Sequence, residues 1–218
     1  MINSNHRFIF IRTPKSASTA VIGSLMGHHK LPKKYRLNTR GHWDGDPNHY
    51  PLSAVREIVP EDIYENYFKF GFTRNPWDKM VSQFFYSRKW WGYPVAKRTY
   101  KKRYHAAKRE KLKGELKNFK TYVLNSDKWG NSRWPSPYLK ISDYKMMLGC
   151  DFIGRFENLQ EDFNLACEKI GIIPEKLRQK NKTKHKPYWK YYDDETTARV
   201  GELYQEDIEH FGYKFGEL

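Results

Sequence analysis

Cysteine is scarce in this chain: Cys150 and Cys167 are the only two in 218 residues, and neither sits in a C-x-x-C or C-x-x-C-H spacing. That excludes a disulfide-stapled scaffold and a four-ligand zinc site, and both thiols are expected to be reduced. Long apolar runs are missing as well. The longest early one is Phe8–Ile11, far shorter than a signal-peptide core or the ~20 residues of a membrane span. Nothing exports or anchors the chain, so a cytoplasmic protein that engages no membrane is expected. There is no internal repeat and no domain linker. At about 150 residues per domain, one domain over residues 1–218 is expected.

Acidic residues are also in deficit, with 25 Asp and Glu against 40 Lys and Arg, for a net charge of +15. What the chain has in quantity is aromatic side chains, 17% of residues within a hydrophobic share of 39%. A mean hydropathy of −0.90 therefore reflects a charged surface, not a missing core. A chain of this size buries roughly 70% of the surface its unfolded form exposes. Intrinsic disorder is the poorer description.

The positive charge is concentrated. From Lys97 to Lys120 there are eleven lysines and arginines against Glu110 and Glu115, and from Lys176 to Lys190 seven bases and no acid. Such runs attract polyanions or anionic nucleotides and raise their encounter rate. A solvated helix face would carry the same charge. No zinc-finger, RNP or basic-zipper pattern accompanies it, so nucleic acid is not the expected partner.

Phe8-Ile9-Phe10-Ile11 is apolar without alternation, as in a strand buried on both faces of a parallel sheet. It runs into Arg12-Thr13-Pro14-Lys15-Ser16-Ala17-Ser18-Thr19, and then into Val21/Ile22/Leu25/Met26 at helical spacing. The same grammar of strand, tight turn and helix recurs at Tyr67–Arg74, followed by Asn75 as N-cap, Pro76 at the first helical position, and Trp77/Val81/Phe84/Phe85 on one face. Strands alternating with helices predict an α/β fold with a parallel sheet.

Residues 27–62 read as a loop-dominated connection carrying His42 and His49, with one short helix from Ser53 to Val59. Asp151–Phe156 reads as a third strand. A helix follows it with Leu159/Phe163/Ala166/Ile170 inward and Gly171 at its C-terminus. Asp193 or Asp194 caps a last helix running through Val200/Leu203/Tyr204/Ile208/Phe211 to Gly212.

The first strand-turn-helix has the makings of an anion cradle: main-chain N–H groups at a helix N-terminus, the positive end of its dipole, and a lysine in the turn. It lacks the G-x-x-x-x-G-K-[ST] pattern, and no Asp closes an apolar strand to hold magnesium, which disfavours an ATP-dependent P-loop kinase. In the second unit Arg74 ends the strand and Ser82 follows eight residues later, about two helical turns on. Together they can meet one phosphate, Arg74 as a charged fork and Ser82 as a hydroxyl donor.

These residues resemble the sulfotransferases, in particular the carbohydrate (family 2) branch and the heparan 2-O type. Arg12–Thr19 looks like that family's 5′-phosphosulfate loop, and Phe72-Thr73-Arg74-Asn75-Pro76-Trp77-Asp78-Lys79-Met80-Val81-Ser82-Gln83-Phe84 is similar to its 3′-phosphate motif. Phe152–Leu159 and the tail from Asn181 to Phe215 resemble later family segments. The resemblance implies a P-loop-like three-layer fold with a central, mainly parallel sheet flanked by helices. It implies sulfuryl transfer from 3′-phosphoadenosine 5′-phosphosulfate (PAPS) to an acceptor hydroxyl without a metal ion, releasing adenosine 3′,5′-bisphosphate (PAP). The branch implies a glycan acceptor, and an acidic glycan would match the first basic run.

By that resemblance Arg12, Thr13, Pro14, Lys15, Ser16, Ala17, Ser18 and Thr19 cradle the 5′ end, while Arg74 and Ser82 hold the 3′-phosphate. Lys184, in Lys182-Thr183-Lys184-His185, folds over the nucleotide. Lys15 is placed to stabilise charge on the departing phosphate. The acceptor's proton needs a base. His49 fits the family's placement of a histidine shortly upstream of the 3′-phosphate strand, with His42 as rival. Glu157 is expected to be structural, bonding main chain near the end of the third strand. The competing class is a noncatalytic polyanion-binding module, for which Lys15 would be dispensable.

Overall fold

The computed structural model describes residues 1–25, 49–91, 117–126, 142–178 and 185–217. His42, Lys184 and most of the first basic run, residues 97–116, lie outside the described residues. In chain order the elements are β1 (Ile2–Asn3), β2 (Phe8–Ile11), α1 (Ser18–Leu25), α2 (Leu52–Arg56), α3 (Glu61–Asn66), β3 (Phe68–Thr73), α4 (Pro76–Trp91), α5 (Phe119–Leu124), α6 (Asp143–Met147), β4 (Phe152–Arg155), α7 (Leu159–Lys169), α8 (Asp194–Leu203) and α9 (Gln205–Phe211). Single 3-10 turns cover Phe156–Asn158 and Tyr188–Tyr191. The chain divides into two compact units, Met1–Asn75 with Ile141–Lys182, and Pro76–Lys140 with Thr183–Glu217.

The first unit holds a four-stranded sheet in the order β1-β2-β3-β4. β1 runs antiparallel to β2, and the other two pairs are parallel. Register sets Phe10 opposite Phe70 and Phe70 opposite Phe152. The fold class is α/β with a mainly parallel sheet, as the alternation of strands and helices predicts. β2 is buried along its whole length, the reason its four residues show no polar alternation.

Side chains alternate across a sheet, and here the alternation sorts the helices. Phe8, Phe10, Phe70 and Phe72 share one face with Val21 and Leu25 of α1 and Phe163, Ala166 and Cys167 of α7. Gly71 belongs to the opposite face, where a Cβ would collide with Met147 Sδ of α6. Helices thus cover both faces of the sheet within this unit, giving three layers. Lys69 is a charge inside a buried strand. Its Nζ donates to the carbonyls of Tyr64 (3.0 Å) and Tyr67 (2.9 Å) and lies 3.4 Å from Asp151 Oδ2, which compensates the cost of burial.

The second unit is helical. α4, α5, α8 and the turn at Tyr188–Tyr191 close on a largely aromatic core that includes Trp77, Phe84, Phe119, Tyr122, Tyr188 and Tyr204. α4 begins at Pro76, as the Asn-Pro step predicts. Asp193 caps α8 through a reciprocal capping box with Thr196.

Some details differ from the sequence reading. β1 adds a strand of two residues, too short for any period. α3 adds a helix with Ile63 as its single buried residue, so it leaves no apolar stripe. The last helix is broken at Tyr204 (φ −121°, ψ 26°) into α8 and α9. The apolar spacing passes over the break because Tyr204 N still bonds Val200 O and Ile208 N still bonds Tyr204 O.

Candidate active site

β2 delivers the chain into a turn that reverses sharply before α1. Lys15 and Ala17 both lie in the left-handed region, at φ 62° and 56°. For residues with a Cβ this costs roughly 1–2 kcal/mol each, and such strain collects where a loop's shape matters to function. Ala17 O receives the first helical bonds, from Ala20 N (2.8 Å) and Val21 N (3.2 Å), so Ser18 and Thr19 stand in the first turn of α1. Turns of this kind aim successive main-chain N–H groups to one side and form anion-binding concavities.

The turn is tied down at several points. Thr13 is buried, and its Oγ1 donates to the carbonyl of Phe72 in β3. Ser16 is buried too, its hydroxyl 3.4 Å from Pro14 O. His49 donates from Nδ1 to Arg12 O across 2.6 Å. A carbonyl can only accept, so in the neutral ring Nδ1 carries the proton and Nε2 is the basic nitrogen. Arg74 is buried and donates from Nη1 to Lys15 O at 2.8 Å. A hydrogen bond with a charged donor contributes about 1.5–3 kcal/mol, enough to offset the left-handed conformation of Lys15.

Arg74 is itself held. Its Cζ lies 3.9 Å from the centre of the Phe156 ring. On one side of it Thr73 Oγ1 donates to Asp143 Oδ2 (3.3 Å), and on the other the Asn75 N–H donates to Glu157 Oε1 (2.7 Å). Glu157 thus bonds main chain just beyond β3. Phe156 and Asp143 were not singled out by the sequence. In the sequence Phe156 reads only as the last residue of the third strand.

Within the first unit, then, Arg12, Thr13, Lys15, Ser16, His49 and Arg74 form one connected group. Ser82 is buried in α4 of the second unit. Among the described residues no group of three or more His, Cys, Asp or Glu side chains could hold a metal ion. Nor is any helix among them long and apolar enough to cross a membrane. Burial pushes the thiols of Cys150 and Cys167 up to about 12 and about 11, with Asp151 adding to the rise at Cys150. Neither is a nucleophile at neutral pH.

Comparison with known proteins shows the family of the chain. The model of the sulfotransferase family matches residues 1–214. Carbohydrate sulfotransferase 14 of Danio rerio is 27% identical over 214 residues, which cover 87% of this chain and 53% of that protein. The chain thus spans about half the length of that relative. An uncharacterized protein of Archaeoglobus fulgidus is 31% identical over 127 residues, 58% of this chain and 86% of its own. Among solved structures, a sulfotransferase from Alicyclobacillus acidocaldarius aligns over 94% of this chain and 96% of its own, with 13% identity and a TM-score of 0.38. With its family pattern running through nearly the whole sequence, this chain belongs to the sulfotransferase family.

Proposed function

We propose that the protein transfers a sulfuryl group from PAPS to a carbohydrate hydroxyl, releasing PAP, and that residues 1–218 act as one catalytic domain. One observation carries this reading: His49 and Arg74 bond the main chain of the same turn, at Arg12 O (2.6 Å) and Lys15 O (2.8 Å). A side chain suited to general-base work and one suited to phosphate are thereby joined to the turn that holds Lys15. The residue types match the two anionic ends of the donor, and the helix N-terminus beside Lys15 suits the 5′ end.

The donor supplies a sulfuryl group already activated by its link to the 5′-phosphate. His49 Nε2 takes the acceptor's proton as the new oxygen–sulfur bond forms, its Nδ1–H remaining on Arg12 O. Lys15, with the main-chain N–H groups of Ser16–Thr19, stabilises the electron pair left on the phosphate oxygen as the old sulfur–oxygen bond breaks. Arg12, Thr13 and Pro14 shape the turn and Arg74 holds the 3′-phosphate, while Ser82 and Lys184 are assigned to the nucleotide by the family resemblance alone. No metal ion takes part.

The Danio rerio relative supports a carbohydrate acceptor, and the basic run from Lys97 to Lys120 suits an acidic glycan. Two free cysteines are in keeping with a cytoplasmic enzyme. The test is labelled-sulfate transfer from PAPS to a panel of glycans by wild type, Lys15→Ala and His49→Ala. Transfer by wild type that is lost in both variants is expected. Undiminished transfer by Lys15→Ala would overturn the assignment.

A further inference from the structure

We infer that Arg74 is a positioning residue for the Lys15 turn, so that the same guanidinium that meets the donor's 3′-phosphate also fixes the cradle for its 5′ end; this rests on the donor reading above. The backbone around Arg74 is clamped on both sides, by Thr73 Oγ1 on Asp143 Oδ2 (3.3 Å) and by the Asn75 N–H on Glu157 Oε1 (2.7 Å). The guanidinium lies over the Phe156 ring at 3.9 Å and donates to Lys15 O at 2.8 Å. The residue as a whole is 7% exposed. An arginine serving only as a phosphate fork has no need of a main-chain carbonyl.

The carbonyl it holds belongs to a residue at φ 62°. A peptide unit is planar and trans, so its C=O and the following N–H point in opposite directions. Holding Lys15 O therefore fixes where the Ser16 N–H points. Release of that carbonyl lets the peptide between Lys15 and Ser16 turn, and the first amide of the cradle turns with it. The two ends of the nucleotide are coupled through one side chain, and such coupling is reciprocal.

The experiment uses the whole chain and compares wild type with Arg74→Ala and Phe156→Leu. The first readout is amide hydrogen exchange across residues 13–19 without nucleotide, with thermal melts run alongside. Faster exchange in this segment in both variants is expected. If Arg74→Ala unfolds, Phe156→Leu carries the comparison. The second readout is affinity for adenosine 5′-monophosphate and for PAP. Arg74→Ala is expected to weaken both, the monophosphate by at least about tenfold, the scale of one charged hydrogen bond. Phe156→Leu is expected to weaken the monophosphate several-fold, and that loss should vanish in the Arg74→Ala background.

Unchanged exchange in residues 13–19, with the affinity loss of Arg74→Ala confined to PAP, would overturn the inference. A Phe156→Leu loss that persists in full in the Arg74→Ala background would overturn the part given to Phe156. Failure of wild type to bind either nucleotide would instead sink the donor reading, and the exchange comparison would still decide the link between Arg74 and the turn.

Discussion

The Nδ1 of His49 donates to the main-chain carbonyl of Arg12 across 2.6 Å, joining the residue nominated as base to the first residue of the Lys15 turn. This bond fixes the tautomer of the neutral ring and gives a selective variant. In His49→Asn the side-chain amide sits where Nδ1 sits and still donates to Arg12 O, but it cannot take a proton. Turnover is expected to fall by about 10²–10⁴, with affinity for PAP unchanged, as steady-state kinetics and calorimetry would read. Full turnover would remove His49 from the mechanism and make His42 the next residue to vary.

Ala17 tests the strain in the turn. At φ 56° its Cβ costs roughly 1–2 kcal/mol, while glycine there gives back about 0.4–1 kcal/mol through the unfolded chain. Ala17→Gly is therefore expected to hold or raise the urea midpoint. A clear fall in the midpoint would show that the methyl group makes packing contacts worth more than the strain.

Gly154 lies where β4 meets α7. A Cβ there would stand 2.5 Å from Phe72 Cε1, 2.7 Å from Phe72 Cδ1 and 2.9 Å from Asp162 Cβ. An aromatic ring wedged in a core yields little, so Gly154→Ala is expected to destabilise by about 1–3 kcal/mol. At Gly71 the Met147 side chain can adapt, but the Ile11 main-chain carbonyl would stand 3.1 Å from the added Cβ, so Gly71→Ala is expected to destabilise as well. Equal urea midpoints for wild type and Gly154→Ala would contradict the packing described for that face.

The two thiols give a pH prediction. Burial raises Cys150 to about 12 and Cys167 to about 11, so both stay protonated in the folded protein through neutral pH. Iodoacetamide at pH 8 is expected to label them slowly in the native state and quickly in denaturant. Above the ordinary thiol range of about 8.5 the unfolded state sheds protons that the folded state keeps. Stability should consequently fall as pH climbs from there toward the folded values. Rapid native labelling of Cys167 at pH 8 would contradict its burial.

Much of this was legible in the sequence. Phe8–Ile11 announced a strand buried on both faces, and Thr73-Arg74-Asn75-Pro76 placed the end of β3 and the start of α4 within a residue. Lys15 and Arg74, nominated from motifs 59 residues apart, are joined by a hydrogen bond. What was not legible was the support around them. Phe156 beneath Arg74 and Asp143 beside Thr73 pair across 82 and 70 residues, and such pairings leave no periodic trace. The break at Tyr204 was hidden because the hydrogen-bond ladder and the apolar face both continue through it.

The most direct measurement is titration calorimetry of the whole chain with PAP, with adenosine 5′-monophosphate, with ATP and magnesium, and with heparin, for wild type and Lys15→Ala. The expected result is tight binding of PAP by wild type that weakens when the 3′-phosphate is omitted, and weaker binding of ATP with magnesium. Binding of heparin unaffected by Lys15→Ala, with no measurable binding of PAP, would contradict the donor assignment and leave a polyanion-binding protein.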